Sequence, residues 1–421
     1  IMRDGRKSMK KCIQTISVVC AFLCGLVLTA VTMLSRSTPE QFNVVAGDPL
    51  RLPGAIRVTD QKNATGQSVR ASALSAGSTY QATLKLFGLF PLKDVKVKVV
   101  DQPLVIPCGV PFGIKMYTDG VLVVSMSDVD TATGPFNPAR SAGIKTGDVI
   151  VSIDGETVTT TEQVASIVEE SGGKTMTFHI RRDNIAFDIR FTPALSVNES
   201  RWKAGLWVRD SSAGIGTLTF FDPESQVFGG LGHAVCDVDT GEILPISSGE
   251  IVPARIYSVV KGAVGTPGEL RGGFEAGSLG SLRTNGETGI YGELSTAPAD
   301  GQAVPVAMKQ QVHTGQAQVL TTIHGTTPKL YDIRIDQVRY NDSAPTRNMV
   351  IVITGEELLE QTGGIVQGMS GAPILQDGML VGAVTHVFVN DPTKGFAIFA
   401  ENMLKTMDSV AQSLEQQQGA A

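Results

Sequence analysis

GGIVQGMSGAPILQDGMLVGAVTH, residues 363–386, places Ser370 two residues after Gly368 and directly before Gly371. Glycine adopts backbone angles closed to other residues, so Gly368 can turn its N–H alongside that of Ser370 toward a single oxygen. Gly371 leaves the serine uncrowded. Ile374-Leu375, then Asp377-Gly378, then Leu380–Val384 read as a hairpin behind the turn. The segment therefore predicts an exposed serine on a tight turn, backed by β-structure, with Gly368 and Ser370 as oxyanion-hole donors.

A serine hydroxyl is a poor nucleophile without a base beside it. The chain has five histidines: His179, His233, His313, His324 and His386. His233 lies in FGGLGHA, residues 228–234, where small neighbours leave an imidazole free to face a cleft. It precedes Ser370 by 137 residues, as when base and nucleophile come from successive barrels. His386, at the end of the strand following the nucleophile hairpin, stays open as the rival base. The pattern G-x-S-G-x-P over 368–373 resembles the nucleophile loop of trypsin-like serine peptidases.

Outward from this segment, residues 196–408 are short apolar runs broken by Gly, Pro and Asp-Gly, an all-β pattern. The tail 409–421 is polar, and from Gln412 to Ala421 it is expected to fray. Residues 104–192 have another texture. Thr160 with Gln163 forms a capping-box pattern, Val164, Ile167 and Val168 form one helical face, and Gly172-Gly173 stop the helix. Ala142-Gly143-Ile144, Gly147–Ile150 and Ile153-Asp154-Gly155 resemble the PDZ family. That resemblance implies a peptide-binding module, with Phe112-Gly113-Ile114 as its carboxylate-binding loop. Residues 37–103 read as a β-rich spacer, with Val95, Val97 and Val99 alternating with charged residues.

Residues 1–36 comprise a basic stretch, with Arg3, Arg6, Lys7, Lys10 and Lys11, and an uncharged apolar run from Ile16 to Leu34. A spanning helix needs about 20 such residues. The positive-inside rule places the basic end in the cytoplasm and the bulk of the chain outside it. The run is read as a transmembrane anchor, with a cleaved signal peptide as the alternative, and both export the body. The chain as a whole carries a net charge of −6, which gives no reason to expect nucleic-acid binding. No pair among the five cysteines has zinc-ligand spacing, so neither metal nor organic cofactor is implied.

The order of anchor, β spacer, PDZ module, then GGLGHA and GGIVQGMSGAPI resembles the SpoIVB-type sporulation serine peptidases. KLFGLFPLKDVKVKVV (85–100) and THVFVNDPTKGF (385–396) resemble them too. The resemblance implies a mainly β fold with a trypsin-like double β-barrel, Ser370 as nucleophile and His233 as base. It further implies a protein substrate: a membrane-bound regulator of an intramembrane protease, cleaved in the forespore intermembrane space to activate a mother-cell sigma factor. One position departs from the family. Gly355 stands after Ile353-Thr354, where the acid is expected, and Glu356 follows it. Glu356 is taken as the third catalytic residue; Asp237, Asp239 or no acid at all are the alternatives. Without an acid the chain reads instead as a PDZ-plus-barrel binding scaffold.

Overall fold

The computed structural model describes residues 2–63, 66–70, 73–183, 185–295, 298, 301–341 and 343–419. The first helix, α1 (Met2–Ser37), contains a 23-residue stretch, Thr15–Ser37, long and apolar enough to cross a membrane. It leads into a four-stranded sheet of β1 (Gln41–Val45), β2 (Ile56–Lys62), β3 (Thr79–Leu86) and β4 (Phe90–Val100), ordered β1-β4-β3-β2. Val95, Val97 and Val99 pack inward on Phe42, Tyr80 and Leu84, while Asp94, Lys96 and Lys98 face water, as the period-2 pattern requires.

Two closed barrels follow. The first uses β6 (Pro111–Met126), β15 (Leu206–Phe221), β16 (Val227–Gly230), β17 (Ile246–Val260), β19 (Gly280–Gly286) and β20 (Gly289–Leu294). Their pairings run β6-β17-β19-β20-β16-β15, and β15 returns to β6 to close the ring. Short strands β5 (Leu104–Pro107) and β21 (Val304–Pro305) extend this sheet, and β18 (Glu269–Phe274) pairs with β17. The second barrel is β22 (Gly315–Thr321), β23 (Lys329–Val338), β24 (Met349–Ile353), β27 (Asp391–Phe399), β26 (Met379–Phe388) and β25 (Pro373–Gln376), in that ring order. Closure pairs each strand of a ring with two neighbours and gives each barrel its own apolar interior.

The PDZ-like module is inserted into the first barrel. It holds β7 (Val129–Thr131), β8 (Gly134–Phe136), α2 (Pro138–Ala142), β9 (Val149–Ile153), β10 (Glu156–Thr157), α3 (Thr161–Glu170), β11 (Met176–Arg182), β12 (Ile185–Phe191), β13 (Ala194–Leu195) and β14 (Trp202–Lys203). Strand β6 pairs with β17 through Thr118, then with β9 from Val121. The change of partner falls at Gly120, whose φ is +98° and where a Cβ would lie 2.7 Å from Ile150 O, so only glycine fits. The chain returns along β15, whose Leu206–Arg209 stretch belongs to the module and whose Ser211–Thr217 stretch belongs to the barrel. In α3 the expected capping box is present: Gln163 N donates to Thr160 Oγ1 and Thr160 N to Gln163 Oε1.

Three expectations need correction. Residues 104–118 are barrel, not PDZ, because their apolar residues face the barrel core. For the same reason Phe112-Gly113-Ile114 is not a carboxylate-binding loop. It lies in the first residues of β6, paired on both edges, with Phe112 and Ile114 buried in the barrel. The tail 409–421 is not a frayed end through its described length: α5 (Ala400–Gly419) continues to Gly419 and buries Met403, Met407, Val410 and Leu414. That face covers Phe220 and Tyr291 of the first barrel and Leu380 and Ile398 of the second, so the helix bridges the two. Its apolar spacing is masked in the sequence by the glutamines around it.

A Cβ at Gly113 would lie 2.5 Å from Val252 Cγ2 and 2.6 Å from Phe274 Cδ1, whereas one at Gly214 meets nothing within 4 Å. Gly113→Val is therefore expected to destabilise the barrel by about 1–3 kcal/mol through overpacking, with Gly214→Ala nearly neutral. Denaturant unfolding of both variants checks this; equal midpoints would refute the close packing of Gly113 against Val252 and Phe274.

Candidate active site

Ser370 lies on the turn between α4 (Glu356–Thr362) and β25. The turn is held by glycines at two close approaches. Gly368 has φ +97° and Gly371 φ +92°, and a Cβ on Gly371 would lie 2.1 Å from Thr217 O and 2.5 Å from Leu231 N. Thr217, on β15 of the first barrel, clamps the turn: its N–H donates to Ser370 O at 3.2 Å and its hydroxyl to Gly368 O at 2.7 Å. Gly371 N–H donates to Val384 O at 2.8 Å. Among the described residues, the N–H groups of Gly368 and Ser370 make no backbone hydrogen bond, so both remain available to an oxygen in the cleft.

His233 follows β16 across a two-residue bend in which Leu231 and Gly232 both have positive φ. Its Nδ1 lies 2.8 Å from Ala234 O. A carbonyl only accepts, so Nδ1 carries the proton and Nε2 keeps its lone pair. Burial lowers the His233 pKa below the ordinary imidazole value, against a smaller upward pull from the Ala234 carbonyl. The ring is therefore neutral near pH 7, with the tautomer a base requires.

Ser370, Gly368 and His233 line one cleft of about 510 Å³ between the barrels. Its walls include Ile114, Met116, Leu231, Val366, Val387 and Val389, and among the described residues no Asp, Glu, Lys or Arg lines it. His386 lines it too, its ring centroid 5.2 Å from that of His233. Burial, then the charges of His233 and Arg347, pull the His386 pKa down to about 4. The Ser370 hydroxyl donates to Thr385 O at 3.0 Å, and no Ser370–His233 hydrogen bond is present among the described residues.

Glu356 is not brought to this cleft. It is the exposed first residue of α4, where a carboxylate faces the positive end of a helix. Gly355 caps that helix with its N–H on Asp332 O at 2.8 Å, directed at the outer strand β23 rather than at His233. Asp237 and Asp239 bind Arg209 instead. Burial alone would raise the Asp237 carboxyl, but donation from Thr240 and Asp239 N–H groups and the Arg209 charge hold it below the usual range. The orienting group on His233 is thus a backbone carbonyl. Nothing in side-chain identity at 234 signals this, and Thr217 was equally silent.

A second cleft, of about 380 Å³, lies in the inserted module between α3 and the start of β15. Val164, Ala165 and Val168 face Gly205, Leu206 and Val208 across it, with Trp207 beside them. Over Leu206–Val208, β15 pairs only with β6, so its other edge is unpaired there among the described residues.

Comparison with known proteins follows the same division. Residues 200–404 match the family described as SpoIVB peptidase S55, and residues 129–182 match a PDZ domain. Serine protease HTRA1 of Xenopus laevis is 42% identical over 102 residues, and that of Xenopus tropicalis 41% over 102. Each match covers 24% of this chain and 18% of the relative, so the chain spans under a fifth of these relatives' length. Among solved structures, the PDZ domain of an SdrC-like protein from Listeria monocytogenes is 17% identical, with 21% of this chain and 87% of that one covered and a TM-score of 0.18. The active form of the Rv3671c protease from M. tuberculosis is 16% identical, with 47% and 74% covered and a TM-score of 0.26. The match to the SpoIVB peptidase S55 family thus falls on residues 200–404, which complete the two barrels, and the match to a PDZ domain on the module inserted in the first barrel.

Proposed function

We propose that this protein is a membrane-anchored serine endopeptidase, exported from the cytoplasm, with Ser370 as nucleophile and His233 as base. The observation that carries the reading is one cleft holding a glycine-flanked serine on one barrel and a neutral, correctly tautomerised imidazole on the other. The Ser370 hydroxyl leaves Thr385 O, passes its proton to His233 Nε2, and its oxygen attacks the peptide carbonyl. The Gly368 and Ser370 N–H groups receive the oxyanion, and His233 returns the proton to the leaving amine. Ala234 O holds Nδ1–H throughout. The substrate is a protein, and in the family reading a membrane-bound regulator of an intramembrane protease. Its cleavage, or that of the protein's own chain, would serve late-sporulation signalling in the forespore intermembrane space, activating a mother-cell sigma factor. The PDZ groove between α3 and Leu206–Val208 selects or restrains that substrate through an added strand.

A second reading is a binding scaffold without turnover. It is favoured by the Ser370 hydroxyl resting on Thr385 O and by the lack of a carboxylate on His233.

A fluorophosphonate probe on the purified protein separates the two. Labelling at Ser370, abolished by Ser370→Ala and by His233→Ala, is the expected result, with each variant losing at least about a thousandfold in kcat/KM because the pair acts as a unit. A wild-type protein that never labels leaves the scaffold. Glu356→Gln is expected to stay within about twofold of wild type, since its charge is exposed and outside the cleft; a tenfold loss would restore it to the catalytic group.

The pH profile tests the base. Because burial favours neutral His233, its protonated form appears only below the ordinary value near 6.5. Activity is therefore expected to be flat from pH 7 to 8 and to fall along an acid limb whose midpoint is below about 6.5. A midpoint above 7 would mean that a carboxylate raises the imidazole after all.

A further inference from the structure

Strands β3 and β4 meet in a three-residue tip, Phe87-Gly88-Leu89, followed by Phe90. Phe87 is 68% exposed, Leu89 75% and Phe90 42%. Three large apolar side chains at one exposed turn are costly in water, and Phe87 even holds a positive φ of 53° there. The position of the tip accounts for them. β1 follows α1 directly and runs parallel to β4, with Gln41 level with Lys96. Phe90 lies six residues ahead of Lys96, so at about 3.3 Å per residue it reaches about 20 Å back toward α1. Lys93 Nζ donates to Thr38 O at 3.3 Å, which marks the level of the helix end. α1 touches β4, and its half-covered residues Val27, Ala30, Val31 and Leu34 form one helical stripe while most of the span is exposed. The tip thus runs beside the last turns of the apolar stretch Thr15–Ser37. Arg36 ends that stretch, and Arg57 and Lys85 pair across the neighbouring strands just behind the tip.

We infer that the Phe87–Phe90 tip is a second membrane contact, immersed in the lipid leaflet from which α1 emerges, with Arg36, Arg57 and Lys85 at the level of its phosphates. This rests on α1 being the anchor proposed above. Three apolar side chains lose their water and the cations meet anionic headgroups. A single helix leaves the domain free to swivel; two contacts fix which face of the sheet meets the bilayer, and so the height of what is built on it.

The test uses the full chain in vesicles of phosphatidylcholine and phosphatidylglycerol with brominated acyl chains. Leu89→Trp adds a fluorophore at the tip, and Val238→Trp adds one at an 87%-exposed site of the first barrel, each read against the parent emission. The emission added at 89 is expected to fall by roughly half or more, as for an interfacial tryptophan, and that added at 238 to be unchanged. Equal quenching at both sites overturns the inference. Flotation of the same samples reports the anchor separately. A chain that floats with an unquenched tip refutes the second contact alone, and one that does not float refutes both. Concentration-dependent cross-linking of tip to tip between copies, without quenching, would assign the patch to self-association and likewise overturn it.

Discussion

Two hydrogen bonds from one threonine hold the candidate site together. Thr217 reaches across the gap between the barrels and fixes the carbonyls on either side of Met369, at Gly368 and Ser370. Main-chain geometry at Ser370 is then set by the other barrel, not by the loop's own preference. The cost is steric: Gly371 presses so closely on Thr217 O and Leu231 that no side chain fits there. The two glycines of the serine turn therefore answer to a contact about 150 residues away in sequence, and barrel docking and the geometry of the Ser370 turn are one constraint. α5 reinforces it by burying one apolar face against both barrels.

Thr217 lies on β15, and β15 begins in the PDZ module. The strand is paired with β6 from Leu206 to Thr217, apart from two irregularities. Its other edge faces the groove of α3 at Leu206–Val208 and the cleft of Ser370 and His233 at Ser212–Gly216. A ligand strand added in the groove would thus pull on the ribbon that carries both the cleft wall and the clamp on Ser370. Strands transmit such shifts along their length more readily than loops do, because the ladder keeps them in register. Inserting the module within a hairpin, instead of appending it by a linker, is what makes such coupling physically available.

What was legible in the sequence follows from how local each signal was. The serine turn, the α3 capping box and the alternation of Val95, Val97 and Val99 are short-range patterns, and the folded chain uses them as read. Phe112-Gly113-Ile114 is equally short but ambiguous: apolar-Gly-apolar describes a barrel strand as well as a binding loop. Only the pairing of β6 with both β15 and β17 decides between them, and pairing partners are not local. The groove at Gly205–Val208 escaped for the same reason, since it exists only once the chain returns after some eighty residues to lie beside β6. Glu356 was read as the acid displaced by one residue, because it follows Gly355 after Ile353-Thr354, but α4 turns it outward. Ala234 O and Thr217 could not be found from side-chain identity, because backbone groups do their work at both places or at one end of the bond.

A base held by a carbonyl differs from one held by a carboxylate. The carbonyl fixes tautomer and ring orientation, yet offers only a dipole to the imidazolium that forms during attack. Among the described residues no charged side chain lines the cleft around it, and burial with the charges of His233 and Arg347 lowers the pKa of the neighbouring His386. A cation on His233 is disfavoured in that setting, as its lowered pKa already states for the resting site. Under the proposed mechanism the enzyme would then have its base ready at neutral pH and a high barrier to charging it. Such a site works slowly on a substrate that merely diffuses in. It suits a substrate presented at high local concentration, as one docked in the module's groove and confined to the same membrane would be.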